Sequence, residues 1–222
     1  IAVGFLLSVE TASDLHLNSI DVKNKLGQKI SDDIQIVTGD NKLIALSDML
    51  NQGVPLVMVM AYYQCPMLCS LVLNGLSVAL NESGLKPGDD YSVLTVSIDP
   101  SEGSELSKEK KLNYINSYFS SSESKDFWTF ATSDQDNILK LTNEIGFDYS
   151  YDERTKQFAH PAVIYVLTEE GIISKQLFGV SPTGNDLKLS ILSAKSNSVS
   201  SMFDKILLYC YKYDPSAGSY SM

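Results

Sequence analysis

The chain has 222 residues, enough to bury one good core in a single domain with extensions, and its 44% hydrophobic and 20% charged residues are those of an ordinary globular protein. A formal net charge of −10, with lysines scattered rather than striped, argues against a phosphate-backbone partner, because no basic surface is present to release counterions. Three cysteines and two histidines exclude a disulfide-stapled miniature fold and a structural zinc site of the two-CxxC kind.

Taken in order, the chain opens on the apolar stretch from Ile1 to Val9, too short to span a bilayer alone, which takes about 20 apolar residues. Residues 1–12 read as the end of a signal or membrane-anchor segment, with a short apolar arm as the alternative. A polar segment follows through Gln28, holding His16 on the surface and wrapping the domain. Gly39-Asp40-Asn41 marks a turn between extended pieces around Ile34–Ile36 and Leu43–Ile44, and Ser47 is expected to cap a short helix that Gly53 ends.

The run 55–61 reads as a buried strand. From Pro66 the pattern becomes helical to about residue 83, with Leu68, Leu71, Val72, Leu76 and Ala79 at three- to four-residue spacing and Pro66 in the first turn. After the break at 84–88, the Val-rich Tyr91–Ile98 is a second buried strand, and the three pieces make a right-handed parallel βαβ unit. A helix is predicted from Glu105 to Phe119, a strand at 127–130, and a helix capped by Asp134 and closed by Gly146. Pro161–Leu167 and Ile172–Phe178 form a hairpin, and Asp186–Ala194 a final helix. No internal repeat or phosphate loop interrupts this order, which is that of a thioredoxin-like α/β fold: a central mixed sheet flanked by helices, over residues 13–197. Residues 198–222 are a C-terminal extension, with Met202, Ile206 and Tyr209 at helical spacing and Cys210 as a structural or unpaired thiol.

Chemistry concentrates at Cys65 and Cys69, at the mouth of the helix that leaves the first buried strand. Four residues apart, they lie about one turn from each other on one face, and a helix N-terminus stabilises thiolate. Two buried small hydrophobes is the bland alternative. Asp99 either supports the site or, by preference, caps the helix after Pro100. Tyr62, Tyr63 and Phe158 either screen the site from water or belong to the core.

Three landmarks then carry a resemblance: Tyr63-Gln64-Cys65-Pro66-Met67-Leu68-Cys69, Val96-Ser97-Ile98-Asp99-Pro100 and Ala159-His160-Pro161, in that order. With them, residues 27–191 resemble the Sco/SenC family, membrane-tethered thioredoxin-fold copper proteins that help assemble the binuclear copper site of cytochrome c oxidase. The resemblance implies that Cys65, Cys69 and His160 bind copper, as Cu(I) or Cu(II). Two thiolates and an imidazole are a soft set suited to Cu(I) on chemical grounds as well. It implies as partners the copper-accepting subunit of the oxidase and other copper chaperones, and as location the cell envelope, tethered on the periplasmic side of a bacterial inner membrane. The alternative function is a thiol–disulfide oxidoreductase in which Cys65 and Cys69 are the redox pair that keeps the oxidase copper-site cysteines reduced. A redox-sensing module is a third reading.

Overall fold

The computed structural model describes residues 20–66, 68–119 and 126–199, and the backbone of two short paired strands at Lys212–Asp214 and Ser219–Ser221. The expectations for residues 1–12, His16, Cys210 and the helical spacing at 202–209 lie outside these residues.

Seven strands form one mixed sheet: β1 (Gln35–Thr38), β2 (Leu43–Ala45), β3 (Leu56–Ala61), β4 (Ser92–Ser97), β5 (Trp128–Thr132), β8 (Val163–Leu167) and β9 (Ile173–Phe178). Their order is β2-β1-β5-β4-β3-β8-β9. The three central strands β5, β4 and β3 run parallel, and the flanking pairs are antiparallel. Every residue of β3 and β4 is buried, as expected of parallel strands covered on both faces. The helices are α1 (Ser47–Leu50), α2 (Leu68–Glu82), α3 (Ser104–Tyr118), α4 (Gln135–Ile145) and α5 (Gly184–Lys195). This is the thioredoxin-like arrangement expected, a central mixed sheet flanked by helices.

Helix ends follow local chemistry. Asp134 accepts a hydrogen bond from the Asn137 amide, and Gly146 closes α4 in the left-handed conformation at φ 72°. Thr183 does for α5 what Asp134 does for α4. Ser47 does not cap its helix: it is the first helical residue, Leu46 precedes it without a side-chain cap, and the Asp48 carboxylate instead accepts from the Ala45 amide. The inward face of α2 is Cys69, Val72, Leu73, Leu76, Ala79 and Leu80, whereas Leu71 is 45% exposed. The reason is tertiary, since α2 packs against both α5 and α3. At Gly75 the backbone of Val180 comes so close that a Cβ there would stand 1.9 Å from its carbonyl oxygen.

A small hairpin, β6 (Ser150–Asp152) with β7 (Gln157–Ala159), precedes β8 and turns through Lys156 at φ 55°. Its three-residue strands show no period in the sequence, and the hairpin is an addition to the expected elements. The segment from Ile20 to Ile30 wraps the domain as expected, bridging Val22 to Phe147 and Lys29 to Ile172.

Tyr63 is core rather than a screen. Its hydroxyl donates toward the Ala131 carbonyl at 2.6 Å and lies 3.1 Å from that of Thr95. Burial pushes this hydroxyl far above the ordinary tyrosine range. A phenol whose folded pKa is raised contributes stability that is present below its unfolded pKa of about 10 and lost as pH rises above it. Denaturant midpoints are therefore expected to fall above about pH 10, with Tyr63 ionising only as the chain unfolds. A tyrosinate signal from Tyr63 in the still-folded protein, read as the difference from Tyr63→Phe, would contradict this.

Candidate metal centre

The site forms where three backbone segments meet at the carboxyl end of the sheet. β3 runs out at Ala61, and residues 62–66 cross to α2, whose second residue is Cys69. β8 is antiparallel to β3, Val59 facing Ile164 and Leu56 facing Leu167, so the start of β8 lies beside the end of β3. His160, placed between β7 and β8, is thereby brought to Cys69 although the two are 91 residues apart. The His160–Pro161 peptide is trans.

The ligand atoms of Cys65, Cys69 and His160 all lie within 4.8 Å of one another. Cys69 Sγ is 3.1 Å from His160 Nε2 and accepts a hydrogen bond from the Tyr62 amide at 3.4 Å. Cys65 Sγ accepts from the Cys69 amide, one of the donors that a helix start leaves without an intrahelical partner, at 3.4 Å. His160 Nδ1 is 3.0 Å from the Pro161 carbonyl oxygen, which can only accept, so Nδ1 carries the proton. In the neutral ring the Nε2 lone pair then faces the Cys69 sulfur, and the Pro161 carbonyl fixes the orientation of the imidazole.

Burial divides the three. His160 is 1% exposed and Cys69 4%, while Cys65 is only half-buried. The Tyr62 and Phe147 rings lie 5.9 Å from the imidazole, and Phe158 stacks edge-on against Tyr62 at 5.4 Å. Tyr62 and Phe147 therefore wall the imidazole and Phe158 backs Tyr62, while Tyr63 belongs to the core. The asymmetry predicts that iodoacetamide labels Cys65 faster than Cys69, on the order of tenfold, in reduced, metal-free Cys210→Ser protein followed by mass spectrometry. Equal rates would contradict the burial difference.

Asp99 does not cap α3, whose N-cap is Gly103. It closes its own turn instead, accepting from the Ser101 amide at 2.9 Å and hydroxyl at 2.6 Å. The residue that sequence reasoning missed is Glu102, buried beside the turn that leads to Cys65. Its carboxylate accepts from the amides of Tyr63 and Gln64 and from the Ser97 hydroxyl. Desolvation raises its pKa, against the lowering effect of these three hydrogen bonds. The one signal available beforehand was a lone acidic residue in the small, polar run Ser101-Glu102-Gly103-Ser104.

Two thiols and an imidazole converging at a strand end of a thioredoxin-like domain are the donor set that a metal-thiolate or thiol-redox site requires. The SCO1/SenC family model matches residues 22–185, and the chain belongs to that family. Among solved structures it is similar to a putative electron transfer protein from Aquifex aeolicus, at 22% identity and TM-score 0.68, covering 78% of this chain and 95% of that one. It is similar to Arabidopsis thaliana ScoI with copper bound, at 16% identity and TM-score 0.60, over 78% and 99% of the two chains. A third is BsSco, described as a Sco-family cytochrome c oxidase assembly protein with a disulfide switch, at 20% identity and TM-score 0.60, over 79% and 98%. No curated protein matches the chain significantly. Among the described residues no helix is long and apolar enough to cross a membrane.

Proposed function

We propose that this protein binds one copper ion through Cys65, Cys69 and His160 and serves the assembly of cytochrome c oxidase by supplying that copper to an apo subunit. The observation that carries the reading is the donor set: a sulfur 3.1 Å from an imidazole nitrogen whose partner nitrogen is already committed, with a second sulfur within 4.8 Å. Two thiolates and one imidazole match the preference of Cu(I) for sulfur, and a nitrogen donor also suits Cu(II). Aromatic walls keep the imidazole dry, and half-buried Cys65 gives an incoming thiol a side from which to displace ligands. Delivery of Cu(I) then requires only ligand exchange, with no change in oxidation state. Membership of the SCO1/SenC family and the copper-bound state of the Arabidopsis structure support the same reading. The working location is the envelope, tethered on the periplasmic side of the inner membrane, where other copper chaperones would load the site.

Titration of the reduced protein with Cu(I) against a chelator tests this. Near one ion per chain is expected, together with loss of the copper subunit's metal in cells lacking the protein. A second reading, a reductase for the oxidase copper-site cysteines, is favoured by the exposed-over-buried order of Cys65 and Cys69, which suits an attacking and a resolving thiol. Turnover of a disulfide client by a protein that retains no copper would select it.

A further inference from the structure

The backbone just before Cys65 is held by a side chain from another segment. Glu102 is 5% exposed. Its Oε2 accepts from the Tyr63 amide at 2.8 Å and the Ser97 hydroxyl at 2.6 Å, and its Oε1 accepts from the Gln64 amide at 2.8 Å. Tyr62 N–H is engaged by Cys69 Sγ, and Cys65 N–H by the Tyr62 carbonyl at 3.2 Å. All four amides from Tyr62 to Cys65 are thus engaged, the middle two by one carboxylate.

This matters because Cys65 stands ahead of Leu68, the first residue of α2. Cys69 is placed by the helix and His160 by the approach to β8, whereas Cys65 lies in the connection between β3 and α2. We propose that Glu102 is a positioning residue for the metal centre: by clamping the Tyr63 and Gln64 amides it holds the Cys65 sulfur where, with Cys69 and His160, it closes the three-ligand set. The inference rests on the copper reading above. The glutamate carboxyl group offers an acceptor oxygen at each end of the fork, one to each amide. Glutamine keeps the shape but turns an NH₂ toward one of the two amides. Aspartate keeps the charge but is one methylene short of bridging both.

The test compares Glu102→Gln and Glu102→Asp with the parent and with Thr183→Ala, which removes the distant cap of α5. Two quantities are read below the melting range of each protein: Cu(I) affinity by chelator competition, and the alkylation rate of Cys65 in the metal-free state. Both Glu102 variants are expected to lose copper affinity by roughly 10- to 100-fold, as for other groups that orient metal ligands. They should also label several-fold faster at Cys65, while Thr183→Ala changes neither quantity. If Glu102→Gln does not fold, Glu102→Asp provides the same two readings. Parent-like affinity and parent-like labelling in a folded Glu102 variant would overturn the proposal and leave Glu102 a purely stabilising residue. If the parent itself takes no copper, the copper reading fails and the labelling rates alone decide the clamp. Faster labelling of Cys65 then sustains it, and unchanged labelling overturns it.

Discussion

His160→Ala is expected to lose Cu(II) affinity by more than roughly 100-fold and Cu(I) affinity by less, while Cys65 and Cys69 still oxidise and reduce. The lower bound follows from the 10- to 100-fold typical of merely removing a group that orients a ligand. The difference between oxidation states follows from softness, since two thiolates satisfy much of what Cu(I) requires, whereas Cu(II) depends more on the nitrogen donor. Some stability should be lost as well, because the buried ring packs against Tyr62 and Phe147 and its Nδ1 donates to the Pro161 carbonyl, so binding is read below the melting range of the variant. Copper titration in both oxidation states and a disulfide-exchange assay on the same preparation check this. Parent-like binding of both ions would make His160 a structural histidine. Loss of disulfide exchange along with copper would instead tie the imidazole to the thiol chemistry of the second reading.

Trp128→Ala should be the most destabilising single change near the sheet centre, at about 3–5 kcal/mol. Trp128 is fully buried in β5, pairs with Val93 of β4, and packs on Phe130 at 5.2 Å and Tyr114 at 5.7 Å. Its indole N–H donates to Thr95 Oγ1 at 2.9 Å, so truncation opens a cavity and also removes the donor to a buried hydroxyl. Against a total stability of about 5–15 kcal/mol, such a loss leaves a marginal protein. The melting temperature should fall by roughly 6–20 °C for a chain of this size. The site lies one layer away, beyond Tyr114, whose hydroxyl pKa burial pushes up to about 12. Well below the melting range, copper stoichiometry is therefore expected to survive. A melting shift under about 2 °C, or less than 1 kcal/mol by the same conversion, would contradict the packing argument.

Much of this organisation was legible in the residues themselves. The apolar run at 55–61 and the Val-rich run at 91–98 reflect burial on both faces, and the periodicity after Pro66 reflects burial on one. Asp134 and Gly146 announced the ends of α4 because caps act within three or four residues of chain. What was not legible depends on distant segments. Leu71 faces outward and Leu73 inward because α3 and α5 together decide which stripe of α2 is covered. The β6–β7 hairpin has strands of three residues each, too short to show a period. Asp99 and Glu102 sit in one loop, and only the fold reveals that the second is buried among donors from β4 and from the turn before Cys65. His160 was reached through a family resemblance. The physical cause of its position is the antiparallel register of β8 on β3, which no local pattern around Ala159-His160-Pro161 contains.

X-ray absorption at the copper edge of protein loaded with one equivalent of Cu(I), on the parent and on His160→Ala, reads the copper ligands themselves. Copper in the parent should be bound by two sulfurs and one nitrogen, with the nitrogen lost in the variant and both sulfurs kept. A parent shell without sulfur, or a nitrogen that persists after His160 is removed, would contradict the assignment of Cys65, Cys69 and His160 as the copper ligands.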